Sequence, residues 1–218
     1  MASYFNLTLD TLGPQGVSLV INNGAAKTSN ALVTLAISTS DASTTGYQMK
    51  IWGISGAELE TDASWETYAA SKQVTLLPDD GTKTVYVKLR DDVYNESAQA
   101  SDSIVLDAYV PVVTVNGPDH SKISKVIGKD TSTITFMADR EFVEYKVCVV
   151  DAQNAAHSAG VVIPTTGGSQ NTSGTGTYAA SEDITVTIKG ADLESASNGD
   201  GVKIVKVFVK NDVGSWSA

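Results

Sequence analysis

The chain has 218 residues, of which 42% are hydrophobic, 18% charged and 7% aromatic. That composition belongs to globular proteins, and the length suits one large all-β domain or two domains of roughly 100 residues. Fifteen Lys and Arg against 25 Asp and Glu leave a formal charge of −10, which speaks against nucleic acid, whose phosphates call for cationic side chains, and against an anionic membrane surface.

Neither a membrane span nor an export signal is expected. No stretch approaches the ~18 consecutive apolar residues of a spanning helix. The first lysine is Lys27, and residues 3–14 alternate instead of forming an apolar run. The single cysteine, Cys148, cannot form an internal disulfide, which fits folding in a reducing cytosol.

In chain order, apolar and polar residues alternate at 17–21, 32–37, 47–52, 73–76, 84–89 and 103–106, then at 112–115, 132–137, 144–150, 184–188 and 204–209. Period-two alternation rich in Val, Ile, Thr and Tyr predicts half-buried strands. Asn23-Gly24, Asp80-Gly81, Asn116-Gly117 and Asp200-Gly201 mark turns between them. No segment keeps a period of 3.6 through three turns, and 191–197 supports one short turn of helix at most. The Gly-, Ser- and Thr-rich stretch 164–177 reads as a mobile excursion or a loop ordered by a neighbour. Short strands at regular spacing with no long helix predict an all-β chain of packed sheets.

The two series repeat one another. Thr67-Tyr-Ala-Ala-Ser71 returns as Thr177-Tyr-Ala-Ala-Ser181, and Asp80-Gly-Thr-Lys83 as Asp200-Gly-Val-Lys203. Val85-Tyr-Val-Lys88 returns as Val207-Phe-Val-Lys210, and Tyr47-Gln-Met-Lys-Ile51 parallels Tyr145-Lys-Val-Cys-Val149. Matches in the same order predict two domains, 13–110 and 111–218, preceded by a strand within 1–12. The boundary falls at Asp107-Ala-Tyr-Val-Pro111, where proline suits a short stiff connection.

The copies differ at their ends. The first continues into Asp102-Ser-Ile-Val-Leu-Asp107, whereas the second reads as far as Ser215-Trp-Ser-Ala218, the counterpart of Asn95-Glu-Ser-Ala98. It is therefore expected to lack its own last strand. Asn6-Leu-Thr-Leu-Asp10 looks like Ser103-Ile-Val-Leu-Asp107, and a proline, Pro14 or Pro111, follows four residues after each Asp. Two readings are open: residues 4–9 are a donor strand that completes the second domain of a neighbouring copy, or they are the first strand of domain one. Donation would point Phe5, Leu7 and Leu9 inward and Tyr4, Asn6 and Thr8 outward. At roughly 1.5–3 kcal/mol per buried apolar side chain, its upper bound is about 5–9 kcal/mol. Tyr4, Phe5, Leu7 and Leu9 are thus candidate interface residues. Trp216 is either a further interface anchor or a lid on the open end of domain two; the anchor reading joins it to them, since large aromatics are enriched at such contacts.

No catalytic, cofactor or metal site is expected. His120 and His157 lie in polar loops, and Gly53-Ile-Ser-Gly-Ala57 misses the last glycine of a nucleophile elbow. Cys148 alternates within a strand as a small buried hydrophobe. No Cys/His spacing fits zinc, and no phosphate loop or dinucleotide fingerprint occurs. Asp79-Asp80, Asp91-Asp92 and the group Asp139, Glu141 and Glu144 lack the spacing of a calcium loop. Trp65 reads as core, and Trp52 as core or outer face.

These residues carry a resemblance. Trp65-Glu-Thr-Tyr68, Asp80-Gly-Thr-Lys-Thr-Val-Tyr-Val-Lys88, 91–96 and Ser103-Ile-Val-Leu-Asp107 are similar to bacterial and phage immunoglobulin-like repeats, strongly over 65–111 and weakly over 112–218. Tyr94 stands where such repeats often have Gly, which predicts a different turn before Asn95. The resemblance implies two tandem Ig-like β-sandwiches. It also implies a non-enzymatic structural protein of a tailed-phage virion, a capsid-decoration, tail or baseplate component made in the host cytoplasm and assembled in multiple copies. Its partners would be copies of itself and other virion proteins. The alternative is a bacterial surface adhesion or carbohydrate-binding module with a host-surface glycan as partner.

Overall fold

The computed structural model describes residues 5–218. The chain divides into two compact units, the first ending at Ala108 and the second spanning Tyr109–Ala218. Each is a sandwich of two sheets built from the alternating runs, antiparallel except for one parallel pair in the first unit.

The first unit contains β1 (Ser18–Ile21), β2 (Lys27–Thr28), β3 (Leu32–Ser38), β4 (Gln48–Trp52), β5 (Glu66–Thr67), β6 (Ser71–Thr75), β7 (Gly81–Arg90) and β8 (Ala100–Leu106). One sheet runs β1-β3-β6 and the other β2-β8-β7-β4-β5. Period-two alternation sends one face of each strand inward. Val33, Leu35 and Ile37 of β3 therefore meet Met49, Ile51, Val85, Val87, Leu89, Ile104 and Leu106 in one core. β8 is an interior strand, antiparallel to β7 on one edge and parallel to β2 on the other.

The second unit contains β9 (Val113–Asn116), β10 (Thr131–Ala138), β11 (Phe142–Val150), β12 (Val161–Val162), β13 (Ser173–Tyr178), β14 (Ile184–Lys189), α1 (Gly190–Ala196) and β15 (Ile204–Lys210). One sheet runs β14-β10-β9. In the other, β11 pairs with β15 on one edge and with β12 and β13 on the opposite edge. The core is more aromatic here: Phe142 stacks on Tyr178 at 4.8 Å, and Phe136 lies 5.1 Å from Tyr145.

Two expectations are corrected. The stretch 164–177 is not a free excursion, because its end forms β13 and its start is held by Asp192. The buried Asp192 carboxylate accepts the N–H groups of Gly167 at 2.6 Å and Ser169 at 2.8 Å. Its glycines answer close approaches: a Cβ on Gly174 would fall 2.5 Å from the Tyr145 ring and the Tyr178 hydroxyl. Trp65 is not core. It lies half-buried on the outer face, with the Arg90 guanidinium 4.5 Å and the Lys50 ammonium 5.9 Å from its ring. Trp52 shares the face opposite Met49 and Ile51, yet is buried and stacked on Tyr86 at 5.5 Å.

Burial alone would favour a neutral Asp192, but hydrogen bonds from Ser169, Gly167 and Thr166 outweigh it and hold the carboxyl below the ordinary 3.8. A folded-state pKa below the unfolded one gives stability that is complete above the unfolded value and is lost as pH falls through the folded one. The urea midpoint is expected to drop below about pH 4. Asp192→Ala, which strips two backbone N–H groups of their acceptor, is expected to cost about 2–3 kcal/mol at neutral pH and to flatten that acid limb.

Candidate functional site: an unpaired sheet edge

The corners that follow β7 and β15 are one structure used twice. Leu89 N–H donates to Ser97 Oγ, and Val209 N–H to Ser217 Oγ, each at 3.0 Å. Ser97 N–H reaches Leu89 O, and Ser217 N–H reaches Val209 O, each at 2.8 Å. Asp91 N–H bonds Asn95 O at 3.2 Å, as Asn211 N–H bonds Ser215 O at 3.0 Å. Val207 therefore stands where Val87 does, not where Val85 does. The sequence match slipped by two because an alternating strand looks alike at every second residue, whereas the corner's hydrogen bonds admit one register.

Tyr94 and Gly214 hold the same place, with φ of 69° and 92°. The turn is thus of one type in both units, contrary to the expectation drawn from Tyr94. A left-handed non-glycine residue is strained, and the Arg90 guanidinium 4.4 Å over the Tyr94 ring helps hold it. Asp91 caps this corner. Its buried carboxylate accepts Asn95 Nδ2 at 2.9 Å and the N–H groups of Val93 and Asn95 at 3.0 and 2.9 Å. These bonds outweigh burial and hold its pKa down.

Past the corner the units part. In the first, β8 lies along β7 with Leu106 opposite Gly81, Ile104 opposite Lys83 and Asp102 opposite Val85. Ile104 and Leu106 are buried, while Ser101 and Ser103 face out. In the second, β15 carries a strand, β11, on one edge only among the described residues. In the place of β8 is a groove of about 810 Å³. Gly201 and Lys203, just ahead of β15, and Val205 and Val207 on it line one side, Pro118 and Ile123 come from the segment after β9, and Ile134, Ile188 and Leu193 complete the lining. β9 pairs with β10 as β1 pairs with β3. Yet Val115 on β9 is 45% exposed, where Leu19 and Ile21 on β1 are 6% and 0%.

The chain enters both units in the same way. Ser40 N–H donates to Gln15 O at 2.9 Å, and Asp139 N–H to Val112 O at 3.1 Å. Asp41 accepts Gln15 N–H at 3.1 Å and Tyr47 Oη at 2.9 Å; Asp139 accepts Val112 N–H at 2.8 Å and the Tyr109 hydroxyl. Burial and the bond to Asp41 push the Tyr47 pKa up to about 12. Pro14 and Pro111, one residue earlier, are both buried. Residues 10–14 are to the first unit what 107–111 are to the second.

Of the described residues ahead of residue 10, none has a strand partner. Phe5, Leu7 and Leu9 are 85%, 87% and 85% exposed and belong to no strand. The reading of this segment as the first strand of domain one fails for the described residues, since that sheet opens with β1 at Ser18. Tyr4 lies outside the described residues. Trp216, read as an interface anchor or a lid on the second domain, is half-buried and has partners within its own unit. The His157 ring stacks on it at 4.7 Å, and the Lys146 and Lys210 ammonium groups lie 4.7 and 5.6 Å from its ring. His157 is accordingly no solvated loop residue, unlike the exposed His120. Cys148 is buried beside Val150 and Phe208, and burial pushes its thiol pKa up.

Among the described residues no three of His, Cys, Asp and Glu converge as a metal-holding group. The open place was expected from the missing last strand; the residues that line it were not, because they are scattered along the chain.

No protein-family model matches the chain, and no curated protein sequence matches it. Similar solved structures include the fibronectin(III)-like modules of Clostridium thermocellum CbhA, at 12% identity over 92% of this chain and 89% of that one, with a TM-score of 0.44. The D00-D0 domain of intimin is 14% identical over 93% and 96% of the two chains, with a TM-score of 0.32. The chicken interferon gamma receptor alpha chain is 12% identical over 96% and 95%, with a TM-score of 0.31. At these scores the fold assignment rests on the strand order and register described above.

Burial, then repulsion from Lys146 and Lys210, lowers the His157 pKa below 6.5. Removing the ring that covers it reverses the larger cause. Trp216→Ala is therefore expected to raise the His157 pKa, read from the imidazole resonances in an NMR titration.

Proposed function

We propose that this chain is a non-enzymatic structural protein that assembles in multiple copies through the open edge of its second sandwich, as a capsid-decoration, tail or baseplate component of a tailed-phage virion. The observation that carries the reading is the unpaired edge of β15 above an apolar groove. Such an edge offers free N–H and C=O groups to any extended chain, and proteins normally cover it. An added strand supplies ladder hydrogen bonds, while alternate side chains fill the groove. The virion setting draws its support from the similarity of residues 65–111 to phage and bacterial Ig-like repeats.

Light scattering of the purified chain at micromolar concentration is expected to give the mass of several copies. Val205→Asp puts a carboxylate on the groove wall and is expected to return the mass to one chain, with the unfolding of the first unit unchanged. A wild-type chain that stays monomeric at every concentration overturns assembly through this edge. The gene is expected among genes for virion components; neighbours encoding export machinery or a cell-wall anchor would instead favour surface adhesion.

A further inference from the structure

We infer that the groove of the second unit receives residues 5–10 of a second copy of this chain, so that copies join head to tail by strand donation. This rests on the reading of the open edge as an assembly site and names its occupant.

The first argument is the strand itself. Asn6-Leu-Thr-Leu-Asp10 has the pattern of Ser103-Ile-Val-Leu-Asp107, the segment that fills the same place in the first unit. Its Leu7 and Leu9 match the buried Ile104 and Leu106, yet stand almost fully exposed. An apolar strand without a sheet and a sheet without its strand are complementary.

The second argument selects another copy. Within the chain, β8 closes the first unit, and a few residues on Tyr109 and Val112 bond Asp139 of the second. Residues 10–14 dock on the first unit through the equivalent contacts, after a connection of the same length from Asp to buried Pro. The residues ahead of them therefore occupy the position of a closing strand for a unit that precedes the first. The second unit of another copy, with the place of β8 open, offers such a strand its sheet. The joint is heterologous and propagates, as a closed ring or an open filament in which the two kinds of unit alternate.

The third argument is register. Carrying the β7–β8 pairing onto β15 puts Leu9 opposite Gly201, Leu7 opposite Lys203 and Phe5 opposite Val205. All three facing residues line the groove. Phe5 departs from the pattern, because Asp102 holds that place in the first unit and accepts Ile21 N–H at 2.8 Å. An apolar ring suits the second unit, where the place lies beside Val205 and Val207. Ala108 N–H donates to Asp80 Oδ1 at 2.8 Å just beyond β8; the corresponding bond would run from Thr11 N–H to Asp200 of the acceptor.

The same register puts Thr8 directly opposite Val202, and both side chains are exposed in the free chain. Facing Cβ atoms in an antiparallel pair lie about 4.5–5.5 Å apart, close enough for a disulfide to form with slight adjustment. A chain carrying Thr8→Cys and Val202→Cys is expected to give a ladder of covalent multimers on a non-reducing gel after mild oxidation. Thr8→Cys with Ile204→Cys, slipped by two residues, and Thr8→Cys alone are expected to give little. Leu7→Asp with Leu9→Asp alters only exposed side chains, so the fold is retained, and light scattering is expected to show single chains. A disulfide closed within one chain, seen as a faster-migrating monomer, overturns donation between copies. Multimers that persist in the Leu7→Asp, Leu9→Asp chain, or that form no Thr8–Val202 disulfide, also overturn it, while leaving assembly through the edge intact if Val205→Asp still abolishes them. Monomers throughout overturn both readings.

Discussion

A β-strand carries two rows of backbone hydrogen-bonding groups, and a sandwich is complete only when each row is paired, bent away or covered. In the first unit both rows of β7 are used, one by β4 and one by β8. In the second, the equivalent β15 has one row bonded to β11; on the other the corner takes Val209, and ahead of it no described strand lies along the apolar groove. The turn chemistry, the alternation and the way the chain enters each unit are held in common. The edge beside β15 is one place where the two units differ; the aromatic core and α1 of the second are others.

The second unit forms a core without a counterpart of β8 by placing its large side chains elsewhere. Phe142, Tyr145 and Tyr178 gather where β13 crosses β11, on the edge of β11 away from β15, and Phe136 packs against them from the other sheet. Aromatic side chains bury about 150–250 Å² each, so a small cluster stabilises a sandwich disproportionately. The first unit, with its last strand in place, relies on Val, Leu and Ile throughout. The groove side of the second unit is left with smaller apolar groups and a partly exposed Val115, a surface that gains most from an added strand.

Much of the fold was legible in the sequence because strand alternation is a local property. The runs at 32–37, 84–89, 132–137 and 184–188 became β3, β7, β10 and β14 with their apolar residues inward. What sequence reading misjudged depended on neighbours it could not see. Trp65 looked like core, but it lies just ahead of β5 with its ring against Lys50 and Arg90. Tyr94 looked like a change of turn, but a cation stacked on its ring holds it in glycine's conformation. The polar stretch 164–177 looked mobile, but a carboxylate from α1 gathers its amides and a strand partner takes its end.

The sequence by itself determined that this is a duplicated all-β chain and that a strand-like segment stands ahead of the first sandwich, because period-two patterning and order of motifs are written along the chain. The register of the duplication and the walls of the groove were decided only by tertiary structure. Register is set by hydrogen bonds that close at one offset, and a groove is made from residues of β9, β10, β14, α1 and β15 that have no proximity until the sheets pack.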